Sequence, residues 1–136
     1  MSQENVEIVR RAFKAATRKP EPDVETLTEL SHPDHRMITD YGAMGSDAYL
    51  GMEGFLKALA DFQVDWEEWH QELDDFVESG AEAVIVLGHL VARGQSSGIP
   101  VEGHWAALVK LRDGQLVSTQ FFLNREEALE AAGLSE

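Results

Sequence analysis

The last third of the chain contains two apolar segments that are separated only by Asp113-Gly114. The first segment runs from Val101 to Leu111 and the second from Gln115 to Leu123, and both are rich in β-branched, aromatic and aliphatic residues. A two-residue Asp-Gly between such segments is the strongest short-range signal for a β-hairpin, because both residues tolerate positive φ. The sequence therefore predicts two antiparallel strands joined by a tight turn.

The segment after this hairpin has the signals of a short closing helix. Asn124 can accept a hydrogen bond from a backbone N–H of the first helical turn, and Glu127 lies three residues later, as in a capping box. Gly133 follows the periodic segment and suits the left-handed conformation that ends many helices. The chain is therefore expected to finish as strand, turn, strand and helix.

Two helices and a short strand are predicted at the start of the chain. Apolar residues recur there at helical spacing: Val6, Val9, Phe13 and Ala16. This periodicity predicts an amphipathic helix over residues 3–18, which Pro20 ends. A second helix is expected over residues 24–30. It should end before Pro33, because the residue that precedes a proline is disfavoured in the α region. A brief strand is expected from His35 to Thr39.

An aromatic stripe in the middle of the chain predicts a third helix. Its members recur every three or four residues: Phe55, Leu59, Phe62, Trp66 and Trp69. The spacing favours one long helix from Met52 to about Glu67, whose stripe is expected first to face the core and only second to form one wall of a pocket. The glycine-rich segment before it, residues 40–51, is expected to form a loop that borders this pocket.

Two more strands are predicted before the hairpin. Residues 71–79 have a strand pattern that contains Asp74 and Asp75, which suits an edge strand because charge discourages pairing with other molecules. Residues 83–91 are so continuously apolar that both faces of this strand are expected to be covered. The whole order is three helices with a short strand among them, a four-stranded antiparallel meander and a closing helix, which is an α+β plan.

Length and composition set limits on function. The 136 residues suit one compact domain over residues 1–136. The net charge of −14 argues against nucleic acid as a partner, and the absence of cysteine excludes disulfides and thiolate metal sites. No apolar run approaches the roughly 20 residues that cross a membrane, and the first residues lack the pattern of a signal peptide. A cytoplasmic location is therefore expected.

Four structural motifs of the chain point to a known fold. They are the opening helix Asn5–Phe13, the step Tyr49-Leu50-Gly51, the turn Ser97–Val101, and the Asp113-Gly114 turn followed by Arg125–Leu129. Together they resemble the SnoaL-like domains of the NTF2-like superfamily, which includes ketosteroid isomerases and polyketide cyclases. The resemblance implies a curved antiparallel sheet wrapped around three N-terminal helices into a cone, with a short C-terminal helix. It also implies a hydrophobic pocket at the open end of the cone and a homodimer formed through the outer face of the sheet.

The resemblance implies function only in outline, since this superfamily contains both enzymes and proteins without a known reaction. It implies binding of a small hydrophobic molecule without a cofactor. Turnover would be metal-free acid–base catalysis, of the isomerase or cyclase type, on a hydrophobic carbonyl compound. The alternative is a non-catalytic ligand carrier or a dimerisation module.

The hairpin turn allows the register of the last two strands to be counted. A two-residue turn pairs Leu111 with Leu116 and Trp105 with Phe122, provided that no bulge shifts the count. Trp105, Gln120 and Phe122 then share one face of the sheet. This face and the apolar sides of the helices supply the expected ligand-binding residues, which are Phe13, Phe55, Leu59, Phe62, Trp66, Trp105, Gln120 and Phe122.

Two histidines are the sharpest chemical feature of the late strands. If the loop before the hairpin closes at Gly94 and Ile99, His89 lies opposite His104 as a cross-strand neighbour. Two such imidazoles could serve as general acid and base, because each titrates near neutral pH and their repulsion separates the two protonations. The alternative is that both are hydrogen-bonded interface residues.

Residues near the expected mouth of the cone complete the candidate site. Asp40 would supply a carboxylate partner for the histidines and Tyr41 a phenolic donor; the alternative is a solvated turn. His32 and His35 lie three residues apart, but this spacing lacks a strong third ligand. No metal site is therefore predicted.

Overall fold

The computed structural model describes residues 2–18, 21–39, 47–64, 66–79, 82–94, 97–122 and 125–131. In chain order, the elements formed by these residues are α1 (Ser2–Ala16), α2 (Val24–Leu30), β1 (Ser31–Thr39), β2 (Asp47–Leu50), α3 (Gly51–Val64), β3 (Trp66–Glu78), β4 (Ala83–Gly94), β5 (Pro100–Arg112), β6 (Gln115–Phe122) and α4 (Arg125–Ala131). No helix among them is long and apolar enough to cross a membrane.

The strands form one mixed sheet in the order β2-β1-β6-β5-β4-β3. Strands β3 to β6 make the predicted antiparallel meander, and β3 occupies the predicted edge position. β1 pairs in parallel with β6, and the short β2 pairs antiparallel with β1. The predicted α+β class is confirmed, with a curved sheet, helices at the N-terminus and a short helix at the C-terminus.

The first, second and last helices follow their local signals. α2 spans the predicted residues 24–30 and is capped by Asp23, whose side chain accepts a hydrogen bond from the backbone N–H of Thr26 at 3.2 Å. α4 forms where the closing helix is expected. Its predicted caps, Asn124 and Gly133, lie outside the described residues.

Two features in the middle of the chain differ from the sequence prediction. α3 ends at Val64, and Trp69 belongs to β3. Trp69 and Gln71 are two residues apart and both line the inner cavity, as alternate residues of a strand do. The spacing of Trp69 also fits the helical period of the aromatic stripe, so the sequence pattern alone does not separate the two structures. β2 was not predicted, because its four residues are too few to show a period.

The turn between β5 and β6 is the predicted one. Asp113 and Gly114 have φ values of 52° and 79°, as in the type I′ turn, whose twist matches that of the paired strands. Leu111 pairs with Leu116, as the two-residue count requires. The start of the hairpin is therefore confirmed.

A β-bulge at Val117 in β6 then moves the register by one residue. Ala106, and not Trp105, pairs with Phe122, so the predicted Trp105–Phe122 pairing is wrong. The physical reason is that side chains alternate between the faces of a strand, and one inserted residue turns every later side chain to the other face.

The two faces of the sheet pack against different helices. The inner face, which includes Trp105, packs against α1 and α2. The outer face, which includes Ala106, packs against α4. Val84, Ile85 and Val86 are consecutive in β4 and all three are fully buried. Both faces of this part of β4 are therefore covered, as predicted.

Candidate functional site

A cavity of about 400 Å³ lies between the inner face of the sheet and the helices. Its apolar lining residues are Ala12, Phe13, Ala16, Leu27, Met37, Gly51, Met52, Phe55, Ala58, Leu59, Leu116 and Phe121. Its lining residues with polar atoms are Thr17, Ser31, His35, Tyr49, Trp69, Gln71, Trp105 and Thr119. A mostly apolar wall with a few polar groups is typical of small-molecule sites.

Trp105 is held in a defined position in this wall. Its ring stacks on Phe13 with centroids 6.1 Å apart, and it packs edge-to-face with Phe121, with centroids 5.7 Å apart. Its indole N–H donates a hydrogen bond to Oε1 of Gln71 at 2.8 Å. Gly88 provides the space for this ring, because a Cβ atom at position 88 would lie 2.5 Å from Cζ2 of Trp105. The indole is therefore packed on its ring faces and hydrogen-bonded at its N–H where it forms this part of the wall.

His35 is the buried titratable group of the cavity wall. Only 7% of its surface is exposed, and its Nε2 lies 2.9 Å from the hydroxyl oxygen of Thr119. Burial lowers the pKa of His35 from 6.5 to about 4, because the charged imidazolium is disfavoured away from water. The ring is therefore uncharged at neutral pH and can both donate and accept a hydrogen bond.

The parallel pairing of β1 with β6 brings these two residues together. Met37 pairs with Thr119, and Met37 and His35 both line the cavity, two residues apart on β1. The sequence relates His35 only to His32, as a pair of potential metal ligands. The alternation of His35 and Met37 within the predicted strand was the available signal for an inward-facing histidine.

The predicted ligand-binding residues divide between the two faces. The structure places four of them in the cavity wall, namely Phe13, Phe55, Leu59 and Trp105. Gln120 and Phe122 do not line the cavity, because the bulge at Val117 turns them to the outer face. Four further predicted site residues lie, wholly or in their side chains, outside the described part of the chain: Asp40, Tyr41, Phe62 and Trp66.

The two histidines of the late strands are cross-strand neighbours, as predicted. His89 pairs with His104, and their ring centroids are 5.4 Å apart. Both belong to the outer face, since they alternate with the inward positions Gly88 and Trp105, and neither lines the cavity. The carboxylate beside His89 is that of Asp74, at 2.9 Å from Nδ1, and this hydrogen bond raises the pKa of His89.

The family model of the SnoaL-like domain matches residues 9–119 of the chain. No curated protein sequence matches this chain.

Solved structures with a similar fold share about one residue in five with this chain, a level that shows the fold alone. TerC, co-crystallised with polyporic acid, is 20% identical with a TM-score of 0.72, and 96% of this chain and 98% of TerC are covered. A protein of ketosteroid isomerase-like fold from Catenulispora acidiphila, in complex with trimethylamine, is 20% identical with a TM-score of 0.69, covering 95% of this chain and 94% of that chain. A candidate SnoaL-like polyketide cyclase from Jannaschia sp. CCS1 is 19% identical with a TM-score of 0.74, covering 99% of this chain and 95% of that chain.

Proposed function

The chain belongs to the SnoaL-like domain family, and we propose that its cavity binds a small, largely apolar organic molecule with a polar group that reaches His35. The observation behind this proposal is the hydrogen-bonded pair of His35 and Thr119, which is buried in a mostly apolar wall. The volume of about 400 Å³ lies within the roughly 300–1,000 Å³ typical of small-molecule sites. The apolar wall would supply most of the affinity, and the polar pair would fix the orientation.

The electrostatics of the cavity favour an uncharged ligand. No Asp, Glu, Lys or Arg is among the described lining residues, and His35 is neutral at neutral pH. A charge that is buried without a partner is costly. The ligand class is therefore an uncharged, mainly hydrocarbon molecule with a carbonyl or hydroxyl group.

The His35–Thr119 pair suits either of these groups. The hydroxyl of Thr119 can donate or accept, and a neutral imidazole donates from one nitrogen and accepts at the other. A carbonyl ligand would accept from the N–H form, whereas a hydroxyl ligand could also donate to the free nitrogen. One pair can therefore recognise a carbonyl compound and the corresponding alcohol.

A second candidate function is proton transfer on a hydrophobic carbonyl compound, with His35 in the acid–base role that the sequence assigned to His89 or His104. The observation that favours it is an imidazole in the wall of an apolar cavity. With a pKa of about 4, however, His35 is a weak base at neutral pH, and general bases work best with a pKa near the working pH. Catalysis would require a neighbouring group that raises this pKa. The sequence predicts Asp40 as the carboxylate partner of His89 or His104 and Tyr41 as a phenolic donor, and both lie outside the described residues. Binding is therefore the leading proposal.

The binding proposal can be tested with two matched variants of α3. Ala58 lines the cavity, whereas Ala60, on the same helix, is exposed. Ala58→Phe should fill part of the cavity and weaken binding by roughly 5- to 150-fold, because overpacking costs about 1–3 kcal/mol, while Ala60→Phe should bind as the wild type. The probes are uncharged aromatic ketones and phenols of two or three rings, with tryptophan fluorescence as the signal. Native mass spectrometry of the purified protein would show any copurified molecule.

Two results would contradict the binding proposal. One is the absence of saturable binding across the whole set of probes, together with an empty protein in the mass spectrum. The other is equal affinity of the wild type and the Ala58→Phe variant, which would place the binding elsewhere.

Catalysis can be separated from binding by hydrogen exchange. A protein that moves a proton next to a carbonyl would exchange that hydrogen for deuterium in D₂O, which NMR of a bound ketone measures directly. Exchange by the wild type that is lost in His35→Gln would support the acid–base role. Binding without exchange would support the alternative of a non-catalytic carrier, and equal exchange in both proteins would remove His35 from the reaction.

The homodimer that the resemblance implies stays a prediction, with the outer face of the sheet as its expected surface. Val91, next but one to His89 on that face, is a large apolar residue that is 43% exposed. Light scattering coupled to gel filtration should give twice the chain mass of 15.1 kDa.

A further inference from the structure

A row of polar side chains crosses three neighbouring strands on the outer face. Glu72 of β3 pairs with His89 of β4, and His89 pairs with His104 of β5. Directly opposed residues of paired strands have Cβ atoms about 4.5–5.5 Å apart, so the register itself brings these groups within mutual reach. A β-bulge at Asp74 in β3 adds a carboxylate that is hydrogen-bonded to His89.

The potential ligand atoms of this cluster converge. One such atom each from Asp74, His89 and His104 lies within 4.8 Å of the other two. Tetrahedral zinc, with Zn–N bonds of about 2.0–2.1 Å, holds its ligand atoms about 3.3 Å apart. Asp74 and His104 are exposed and His89 is partly exposed, so small side-chain rotations can reach this spacing.

We propose that Asp74, His89 and His104 form a binding site for a divalent transition-metal ion such as Zn²⁺. The donor set selects this class of ion, because imidazole nitrogen is a good ligand for Zn²⁺, Cu²⁺ and Ni²⁺, whereas Mg²⁺ and Ca²⁺ take oxygen ligands. Three protein ligands leave one position of a tetrahedral ion open to water or to another ligand.

The groups around the cluster suit a bound cation. Nδ1 of His89 faces Asp74, and Nε2 of the same ring lies 3.8 Å from Oε2 of Glu102. Coordination through Nδ1 leaves the ring proton on Nε2, from which it can be donated to Glu102. A carboxylate in this position orients a ligating imidazole and increases its basicity. Glu72, next to His89 in the row, adds further negative charge.

This site is independent of the proposed ligand cavity. The cluster belongs to the outer face of the sheet, and the cavity lies against the inner face. The sequence predicts no metal site because its only local histidine pair, His32 and His35, lacks a third ligand. The cluster instead combines three strands, and failure of either proposal leaves the other standing.

The first test is a calorimetric titration of chelator-treated protein with Zn²⁺. The wild type is expected to bind one ion per chain. Loss of a group that only orients a metal ligand typically lowers affinity by roughly 10- to 100-fold, so His104→Ala, which removes a direct ligand, should lower it by at least about tenfold. His32→Ala is the matched control, because His32 also lies near a carboxylate, that of Asp34, but in β1, which β6 separates from the nearest strand of the cluster, β5. The control should bind Zn²⁺ as the wild type does.

A second measurement uses the wild type alone and does not depend on the folding of any variant. Stoichiometric Zn²⁺ should shift or broaden the NMR signals of the His89 and His104 rings and leave that of the buried His35 unchanged. The proposal is overturned if Zn²⁺ shows no saturable binding, if His104→Ala binds it as tightly as the wild type, or if the His89 and His104 signals do not respond.

Discussion

His35 should make this protein lose stability on acidification. Burial lowers the pKa of His35 in the folded chain to about 4, against its ordinary value of 6.5. Between these two values the unfolded chain binds a proton on His35 and the folded chain does not, so the free energy of unfolding falls as the pH falls. The stabilising contribution is complete above pH 6.5 and is lost as the pH drops through 4.

The size of this effect follows from the difference between the two pKa values. Each pKa unit corresponds to about 1.4 kcal/mol, so the full loss is about 3 kcal/mol, of which about 2 kcal/mol falls between pH 7 and pH 5. Solvent screening does not reduce this figure much, because only 7% of the surface of His35 is exposed. The loss is large against the roughly 5–15 kcal/mol that stabilises a typical domain.

The assay is urea unfolding at pH 7 and at pH 5, followed by the fluorescence of the three tryptophans. The wild type and His35→Gln are compared, since glutamine keeps a polar side chain but cannot titrate. Carboxylates titrate in both proteins and cancel in the comparison. The wild type should lose about 2 kcal/mol more than the variant between the two pH values.

A matched control uses the neighbouring histidine of the same strand. His32→Gln keeps the buried imidazole of His35 and should show the acid loss of the wild type. If His35→Gln loses as much stability as the wild type between pH 7 and pH 5, His35 is not buried in its neutral form. The cavity wall and the argument for an uncharged ligand would then both be refuted.

Three further predictions concern packing and backbone, each measured by urea unfolding at pH 7. Gly88→Ala should lower the free energy of unfolding by about 1–3 kcal/mol, because the new Cβ would overlap Trp105 and a backbone carbonyl oxygen of β3. The control Gly103→Ala should lower it less, since a Cβ there meets no atom within 4 Å. Equal losses in the two variants would refute the close packing of the indole. Thr119→Val should cost about 1–3 kcal/mol, because the buried imidazole loses its hydrogen-bond partner; an unchanged stability would show that the hydrogen bond is not formed. Gly114→Ala should lower the free energy of unfolding by roughly 1–2 kcal/mol, because alanine is strained at a φ of +79°, although the site has space for its methyl group. An unchanged free energy of unfolding would exclude the type I′ turn.

Local signals in the sequence predicted the elements that depend on neighbouring residues. The Asp113-Gly114 turn was predictable because its two residues set their own φ values, and α1 and α2 were predictable from apolar spacing and proline positions. The pairing of His89 with His104 was also predictable, since a short loop between adjacent strands fixes their register. These inferences use contacts between residues that are close along the chain.

The faces of the last strand were not predictable in the same way. Phe121 and Phe122 are the same residue type, so hydrophobicity does not distinguish the register with the bulge at Val117 from the register without it. In the folded protein the difference is complete, because Phe121 lines the cavity and Phe122 packs on the outer face. Packing of the sheet against α1 on its inner face and against α4 on its outer face selects the register with the bulge over the register without it.

The chemistry of both candidate sites depends on residues that are distant in the sequence. His35 and Thr119 are 84 positions apart and meet only because β1 pairs in parallel with β6. Asp74 reaches His89 only because β3 bulges at that point. Local propensity and periodicity in the sequence thus define the turn, the first two helices and the meander, and the resemblance of its motifs to a known family indicates the fold. Strand order and bulges determine which polar groups face the cavity and which converge on the outer face. Only the tertiary structure decides strand order and bulges, because they depend on long-range packing of the whole chain and no local pattern of residues encodes them.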